Sequence, residues 1–579
     1  MHQFIKQHIN SWVLLFVASS LWMHGTYAAV ETTDTEALRN RARQEALERE
    51  LLQKQPRVDL QAERAVKEVT VFPENETPCF IIRRFSIDIP EQLSPEAKRL
   101  GASASPRDTF YFSQEYLEQY KGRCIGHGGI NYLIQNLTTQ ILARGYSTTR
   151  IGIPEQDLAN GTLKLTLVPG LIHELRFADA KTAGTWKNAF PTSSGKLLNL
   201  RDLEQGLEQM KRVPSQEVDM QIVPAGSMGE SDVVIAVKRN KPWRVVATLD
   251  DTGAKGTGKY QAGLQFAWDN PLGANDLLNI GLNSDANRDD YQHGTQGNNL
   301  SYSIPFGYLT ASVSLSESIY HQRIQGSVTS FVSSGKSQNF ETKLNYLFRR
   351  DQFSKTSVQF RTTKRWSHSY IDDTEVAVQK RNTTHAEFSL IHKHNIGQAQ
   401  LDTTFSYRWG APWFGAQEEA ANIANGSYRY RLETLDTTLN IPFKIKEHSF
   451  SYSATLRVQN TNTPLFASEW FSIGNRWTVR GFDGESSLGA EKGFFWRNEL
   501  SYPIPETQQS TYVGLDYGKV YGNNVANLQG DHLAGLVIGL RGALLSGLSY
   551  EVFAGTPMNK PQSYRSEDPA LGFSLMYQM

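Results

Sequence analysis

From Trp243 to the C-terminus, apolar and polar residues alternate with a period of two, and the pattern returns in blocks of about ten residues. Tyr260, Ala262, Leu264, Phe266 and Trp268 fall on one face of such a block, with Gln261, Gln265 and Asp269 on the other. Phe340, Thr342, Leu344, Tyr346 and Phe348 repeat the pattern, as do Leu401, Thr403, Phe405 and Tyr407. Phe450, Tyr452, Ala454, Leu456 and Val458 make a fourth case, and Leu548, Tyr550, Val552 and Ala554 a fifth. Successive strand side chains point to opposite sides, so this pattern suits a strand with lipid on one face and a wet interior on the other. A soluble sandwich or propeller would need shorter strands, and no blade repeat is present.

The connections alternate in length. Asn270-Pro271-Leu272-Gly273, Pro305-Phe306-Gly307, Asn395-Ile396-Gly397 and the stretch Pro503–Gln508 are short turns. Residues 285–297, 319–337, 366–381, 409–426, 460–492, 522–532 and 557–569 read as long polar loops. This asymmetry between periplasmic turns and surface loops gives a transmembrane antiparallel barrel of roughly 16 strands. The last strand keeps the apolar alternation through Phe573, Leu575 and Tyr577, but it ends on Met579.

Export precedes the barrel. Lys6 and His8 lead into the apolar run Trp12-Val13-Leu14-Leu15-Phe16-Val17-Ala18, and Thr26-Tyr27-Ala28 stands before Ala29. This predicts a signal peptide over 1–28, cleaved near Ala28. Cys79 and Cys124 are the only cysteines and enter an oxidising compartment, which suggests a disulfide closing about 45 residues; two free buried thiols are the alternative.

Residues 34–55 have no Gly or Pro, mix both charge signs and predict a solvated helix. Its thin apolar stripe (Leu38, Ala42, Leu47, Leu51, Leu52) fits either a frayed polar helix or one lying in a polar cavity. An extended linker follows. The pattern from Cys79 to about Gly170 is α/β, with a strand at 80–89, an amphipathic helix at 129–144 stopped by Gly145, and strands at 148–153 and 163–168. A shorter unit of the same type spans 171–239: a strand at 172–177, a helix at 200–211, and strands at 218–223 and 232–238. Such units in tandem before a barrel would be periplasmic docking modules.

Thr478-Val479-Arg480-Gly481-Phe482-Asp483-Gly484 lies in the connection 460–492, and Gly514-Leu515-Asp516-Tyr517-Gly518 in a later strand. A loop arginine and a strand aspartate can meet only inside the lumen, where an ion pair would pin the loop. Alternatively, Arg480 is a solvated loop residue and Asp516 an ordinary lumen-facing one. No Gly-x-Ser-x-Gly elbow, phosphate-binding glycine loop or His-Glu-x-x-His is present, so no catalytic site, metal or cofactor is expected. Fifty-nine basic residues balance fifty-nine acidic ones, which offers no electrostatic case for nucleic acid.

Several segments resemble the outer-membrane transporters of two-partner secretion, the haemolysin secretion/activation family. They are Pro78-Cys79-Phe80, Gly122-Arg123-Cys124-Ile125-Gly126, Gly145-Tyr146-Ser147-Thr148-Thr149-Arg150, Pro154-Glu155-Gln156-Asp157-Leu158, Gly161-Thr162-Leu163 and Val168-Pro169-Gly170. Arg212-Val213-Pro214-Ser215 resembles the signature after the second module's helix.

The resemblance implies a mainly β fold, in which a plug helix at 34–55 and a linker at 56–77 precede two α/β POTRA domains at 78–170 and 171–239. A barrel at 240–579 follows, with loop 460–492 folded inward. It assigns loop anchoring to Val479, Arg480, Gly481 and Phe482 with Asp516, Gly514 and Gly518, and pairs Arg480 with Asp516. It places substrate docking on Gly145, Tyr146, Thr148, Thr149, Arg150, Gln156, Asp157 and Pro214. The implied partners are a large secreted protein carrying a two-partner secretion domain, outer-membrane lipids, periplasmic chaperones and the barrel-assembly machinery. The implied place is the Gram-negative outer membrane with the POTRA domains in the periplasm. A barrel-assembly insertase of the wider superfamily, or a passive porin, is the alternative; the insertases carry more POTRA domains than the two this chain has room for.

Overall fold

The computed structural model describes residues 38–60, 71–287, 290, 292–326, 329–419, 426–522, 525–526, 528 and 530–579. The expected signal peptide, the first residues of the expected helix and the middle of the expected linker lie outside the described residues.

Among the described residues, sixteen antiparallel strands close into a barrel. The first, Trp243–Asp250, pairs with the last, Ala570–Gln578, with Leu249 opposite Leu575 and Ala247 opposite Tyr577. Met579 extends this seam by exchanging backbone hydrogen bonds with Val245. The predicted faces hold: Leu264, Phe340, Leu344, Phe348 and Phe405 are exposed on the outside. Gln261 and Asp269 turn inward and are buried.

Two of the expected loops are largely strand. Residues 319–325 and 330–336 continue the ladder, with Ile319 opposite Lys336 and Gln325 opposite Ser330, so the strands run on to Gln325 and begin again at Ser330. Likewise 366–371 belongs to the strand Ser354–Ile371. Ladder hydrogen bonds are made by the backbone, so a strand rising above the lipid needs no apolar face and shows no alternation.

The first α/β module pairs Arg84–Asp88 in parallel with Thr162–Val168, which is antiparallel to Arg150–Gly152. Helix His127–Ala143 buries Leu133 and Leu137 against Phe85, Leu163 and Leu165. The expected strand at 80–89 is broken, because Phe80–Ile81 pairs instead with Cys124–Ile125. The two cysteines form a disulfide there, with Cα atoms 5.4 Å apart. Two short helices, Pro95–Leu100 and Tyr111–Glu118, complete the module.

The second module repeats the topology. Leu171–Phe177 runs parallel to Glu230–Arg239, which is antiparallel to Gln216–Pro224, and helix Leu200–Lys211 covers the sheet. Asn199 caps that helix by accepting from Arg201 N. The barrel's short turns carry this module: Gln205 and Gln209 donate to Gly307 O at 3.1 and 3.0 Å, and Ser215 N donates to Asp269 at 2.8 Å.

Candidate functional site in the barrel lumen

Residues 461–491 fold into the lumen. Phe471–Ile473 and Leu488–Ala490 pair as a small hairpin, buried against the wall residues Phe495, Val520 and Leu533. Val479 and Phe482 belong to this cluster, and Phe482 meets Tyr564 edge-on at 5.4 Å. The loop therefore shares an apolar core with the wall.

At its tip, Arg480 Nε donates to Asp516 Oδ2 at 2.7 Å and Nη2 to Oδ1 at 3.0 Å. The backbone N of Arg480 gives Oδ2 a third bond at 3.0 Å. The side chains are 7% and 0% exposed, so water hardly competes for this bidentate pair. Glu499 is a second acceptor for Arg480 and is itself held by Arg541 at 2.8 Å. The wall glycines make room for the tip. A Cβ at Gly514 would lie 2.4 Å from Arg480 Nη2, and one at Gly518 would lie 2.7 Å from Val479. Gly481 takes φ 101°, the left-handed region that favours glycine, and rests its Cα against Gly535 and Gly555.

Helix 38–53 lies beside this loop inside the barrel, held by ions on the wall. Glu45 meets Arg457 at 2.7 Å, Arg49 meets Asp436 at 3.2 Å, and Glu48 meets Lys343 at 2.7 Å and also Arg361. Arg39 donates to Gly484 O at 2.7 Å and Arg41 pairs with Glu469 at 3.4 Å, which joins the helix to the loop. Few apolar side chains of the helix are buried; Leu38 and Ala42 are among them.

Past the helix, the chain leaves the lumen beneath the second module. Val58 N and Leu60 N donate to Glu208 and Glu204 of helix Leu200–Lys211, at 2.8 and 3.1 Å. Burial alone would raise the Glu208 carboxyl, but Arg350 and Lys355 outweigh it and hold the group below its usual range.

The residues expected to dock substrate are scattered. Gly145 and Tyr146 lie where the modules meet: Leu200 N donates to Gly145 O, and Tyr146 packs 5.0 Å from Phe110. Thr149 is buried and accepts from Gly170 N, while Thr148 leaves no room for a side chain at Gly170. Arg150, Asp157 and Pro214 are exposed. The Gln156 side chain both donates to Lys164 O and accepts from Lys164 N at 2.7 Å, standing in for a strand residue. Among the described residues no group of His, Cys, Asp and Glu fits a metal ion.

Sequence reasoning missed Glu499, Arg541 and the wall ions that hold the helix. Their inward positions were readable from alternation, but their partners depend on register and on what fills the lumen.

The family described as Haemolysin secretion/activation protein ShlB/FhaC/HecB matches residues 229–542. A POTRA domain of the ShlB type matches 110–170, and a further POTRA domain matches 171–224. The outer membrane transporter CdiB-2 of Burkholderia pseudomallei (strain 1026b) is 45% identical over 507 residues, which is 87% of each chain. The hemolysin transporter protein HpmB of Proteus mirabilis is 29% identical over 69% of this chain and 71% of its own. The solved structure of CdiB from Acinetobacter baumannii superposes with a TM-score of 0.83 at 25% identity, covering 94% of this chain and 99% of that one. A closed barrel, POTRA domains before it and these relatives agree: the chain belongs to the haemolysin secretion/activation family, the outer-membrane transporters of two-partner secretion.

Proposed function

We propose that this transporter exports one large unfolded partner protein carrying a two-partner secretion domain, such as a haemolysin, an adhesin or a contact-dependent inhibition toxin. The observation that supports this most is what fills the lumen. The helix 38–53 is held by ion pairs on its polar face and not by a continuous apolar core. When such contacts part, the charged groups return to water and little apolar surface is exposed, so the helix can leave and open a conduit.

The POTRA modules offer sheet edges, Arg84–Asp88 and Arg150–Gly152 in the first and, in the second, Gln216–Pro224 and the part of Leu171–Phe177 beyond Ile172, whose backbone already pairs with Gly195 and Lys196. An extended chain pairs with such an edge through its backbone and needs no particular sequence. Arg480 and Asp516 act as the anchor of loop 460–492. Periplasmic chaperones would keep the partner unfolded, the barrel-assembly machinery would insert the transporter, and folding of the emerging chain would supply direction. Deleting the gene should strand a single very large protein in the periplasm while other barrels assemble normally. A general barrel-assembly defect overturns the reading.

A further inference from the structure

Residues 57–60 occupy a built site at the boundary between module and barrel. The Val58 side chain is buried in the core of the second module, among Leu203, Leu207 and Met210. Its N–H donates to Glu208 Oε1 at 2.8 Å, and its carbonyl accepts from Arg350 Nη2 at 2.9 Å. Two residues on, Leu60 N donates to Glu204 Oε1 at 3.1 Å. Contacts at i and i+2 have the period of an extended strand. These hydrogen bonds all use main-chain atoms of the segment, and the Val58 side chain adds only apolar packing.

The receiving groups are charged and desolvated. Arg350 pairs with Glu204 at 3.1 Å and with Glu208 at 2.7 Å, Lys355 reaches Glu208 at 2.6 Å, and Arg201 reaches Glu204 at 2.8 Å. Arg350 and Lys355 lie on barrel strands, whereas Glu204 and Glu208 lie on the module's helix. If the segment leaves, both carboxylates lose an amide donor, Arg350 loses an acceptor, and an apolar slot opens to water. Buried groups left unpaired are costly, so the vacated site favours any chain that restores the same pattern.

We infer that residues 57–60 are an internal stand-in for the exported chain. The site formed by Glu204, Glu208, Arg350 and the Val58 slot takes an extended partner segment with one small apolar side chain and two free amides at i and i+2. The inference rests on the export reading and gives it a docking point. It also couples docking to opening, because residue 58 follows the end of helix 38–53 by only a few residues. A chain that takes the slot frees the segment that tethers the helix.

The test uses the full-length transporter in nanodiscs and a fluorescent peptide with the sequence of residues 55–62. Val58→Asp empties the slot from the segment side. Leu60→Pro removes a single amide donor and weakens the segment's hold about tenfold. Both residues belong to the linker and not to the sequence of either module, although the Val58 side chain packs into the second module's core. The peptide should bind the two variants at least tenfold more tightly than the parent, and adding Glu208→Lys should abolish that gain. Equal binding to parent and variants, or no binding to any of them, overturns the inference. Gene deletion tests the export reading separately: loss of secretion with no peptide binding sinks the docking site alone.

Discussion

The carbonyl oxygen of Arg480 sits so close above Gly535 that an added Cβ there would stand 1.8 Å from it. Backbone meets backbone at this point, and no side-chain rotation can relieve a clash. Gly535→Ala must therefore lift the loop tip off the wall and stretch the Arg480–Asp516 pair. Overpacking of this kind costs about 1–3 kcal/mol. The barrel should still insert, seen as heat-modifiable migration in gels, while the secreted partner falls in the medium. Unchanged secretion would show that the tip's seat on the wall is dispensable.

The pair itself is asymmetric. Removing Asp516 leaves Arg480 with Glu499, whereas removing Arg480 leaves two carboxylates facing each other with Arg497 and Arg541 nearby. Losing one partner of a buried pair costs about 3–5 kcal/mol. Arg480→Ala should therefore impair secretion more than Asp516→Ala, and the double variant should be milder than the two effects added. Normal secretion by both single variants removes the pair as a requirement. Equal defects would show that Glu499 does not compensate.

How much of this was readable beforehand follows from what fixes each residue. Alternation marked Leu264 and Phe405 as outward and Gln261 as inward because pleating alone decides the face. Asp516 was legible through its glycine-flanked strand motif and the family it resembles. Gly535 was not, because its role comes from lying beneath the tip of a loop, at Arg480, that is distant from it in sequence. The ladder through Ile319 and Lys336 was hidden too, since strands in water carry no apolar signature. Composition alone left the polar helix either frayed or in a polar cavity; the resemblance made it a plug, but the partners that hold it, Arg361, Asp436 and Arg457, depend on register and were not legible.

Glu48 tests how the helix is held. It lies between Lys343 and Arg361, and Arg361 also faces Glu387 at 3.6 Å. Glu48→Lys turns two attractions into repulsions. Each charge-assisted hydrogen bond contributes about 1.5–3 kcal/mol, so helix occupancy should drop at least tenfold. Planar-bilayer recordings should show more frequent open events, and the charge swap Glu48→Lys with Arg361→Glu should recover part of the closed level, because Lys343 and Glu387 still oppose the exchanged charges. Conductance that does not respond to the reversal would mean the helix is held by other contacts.

In the first POTRA module, Glu76 caps helix His127–Ala143 from outside it. Its carboxylate accepts from the backbone N of Gly126, Gly128 and Gly129 at 2.9, 2.6 and 2.8 Å. These are the unsatisfied donors of the helix N-terminus, where negative charge is favoured. Burial is the largest single influence and works against the charged form, but the three amides together outweigh it, with a smaller pull from His127, and the carboxyl titrates below its ordinary range. Because the folded pKa lies below the unfolded one, the stabilisation is complete above about pH 5 and fades as pH falls through the folded pKa. Glu76→Gln keeps an acceptor but loses the charge, and should cost about 1 kcal/mol at neutral pH. Amide exchange at Gly126–Gly129 in the intact transporter should speed up in the variant at pH 7, and parent and variant should converge in acid. A difference that persists unchanged at pH 2–3 would show that the cap acts through shape and not through charge.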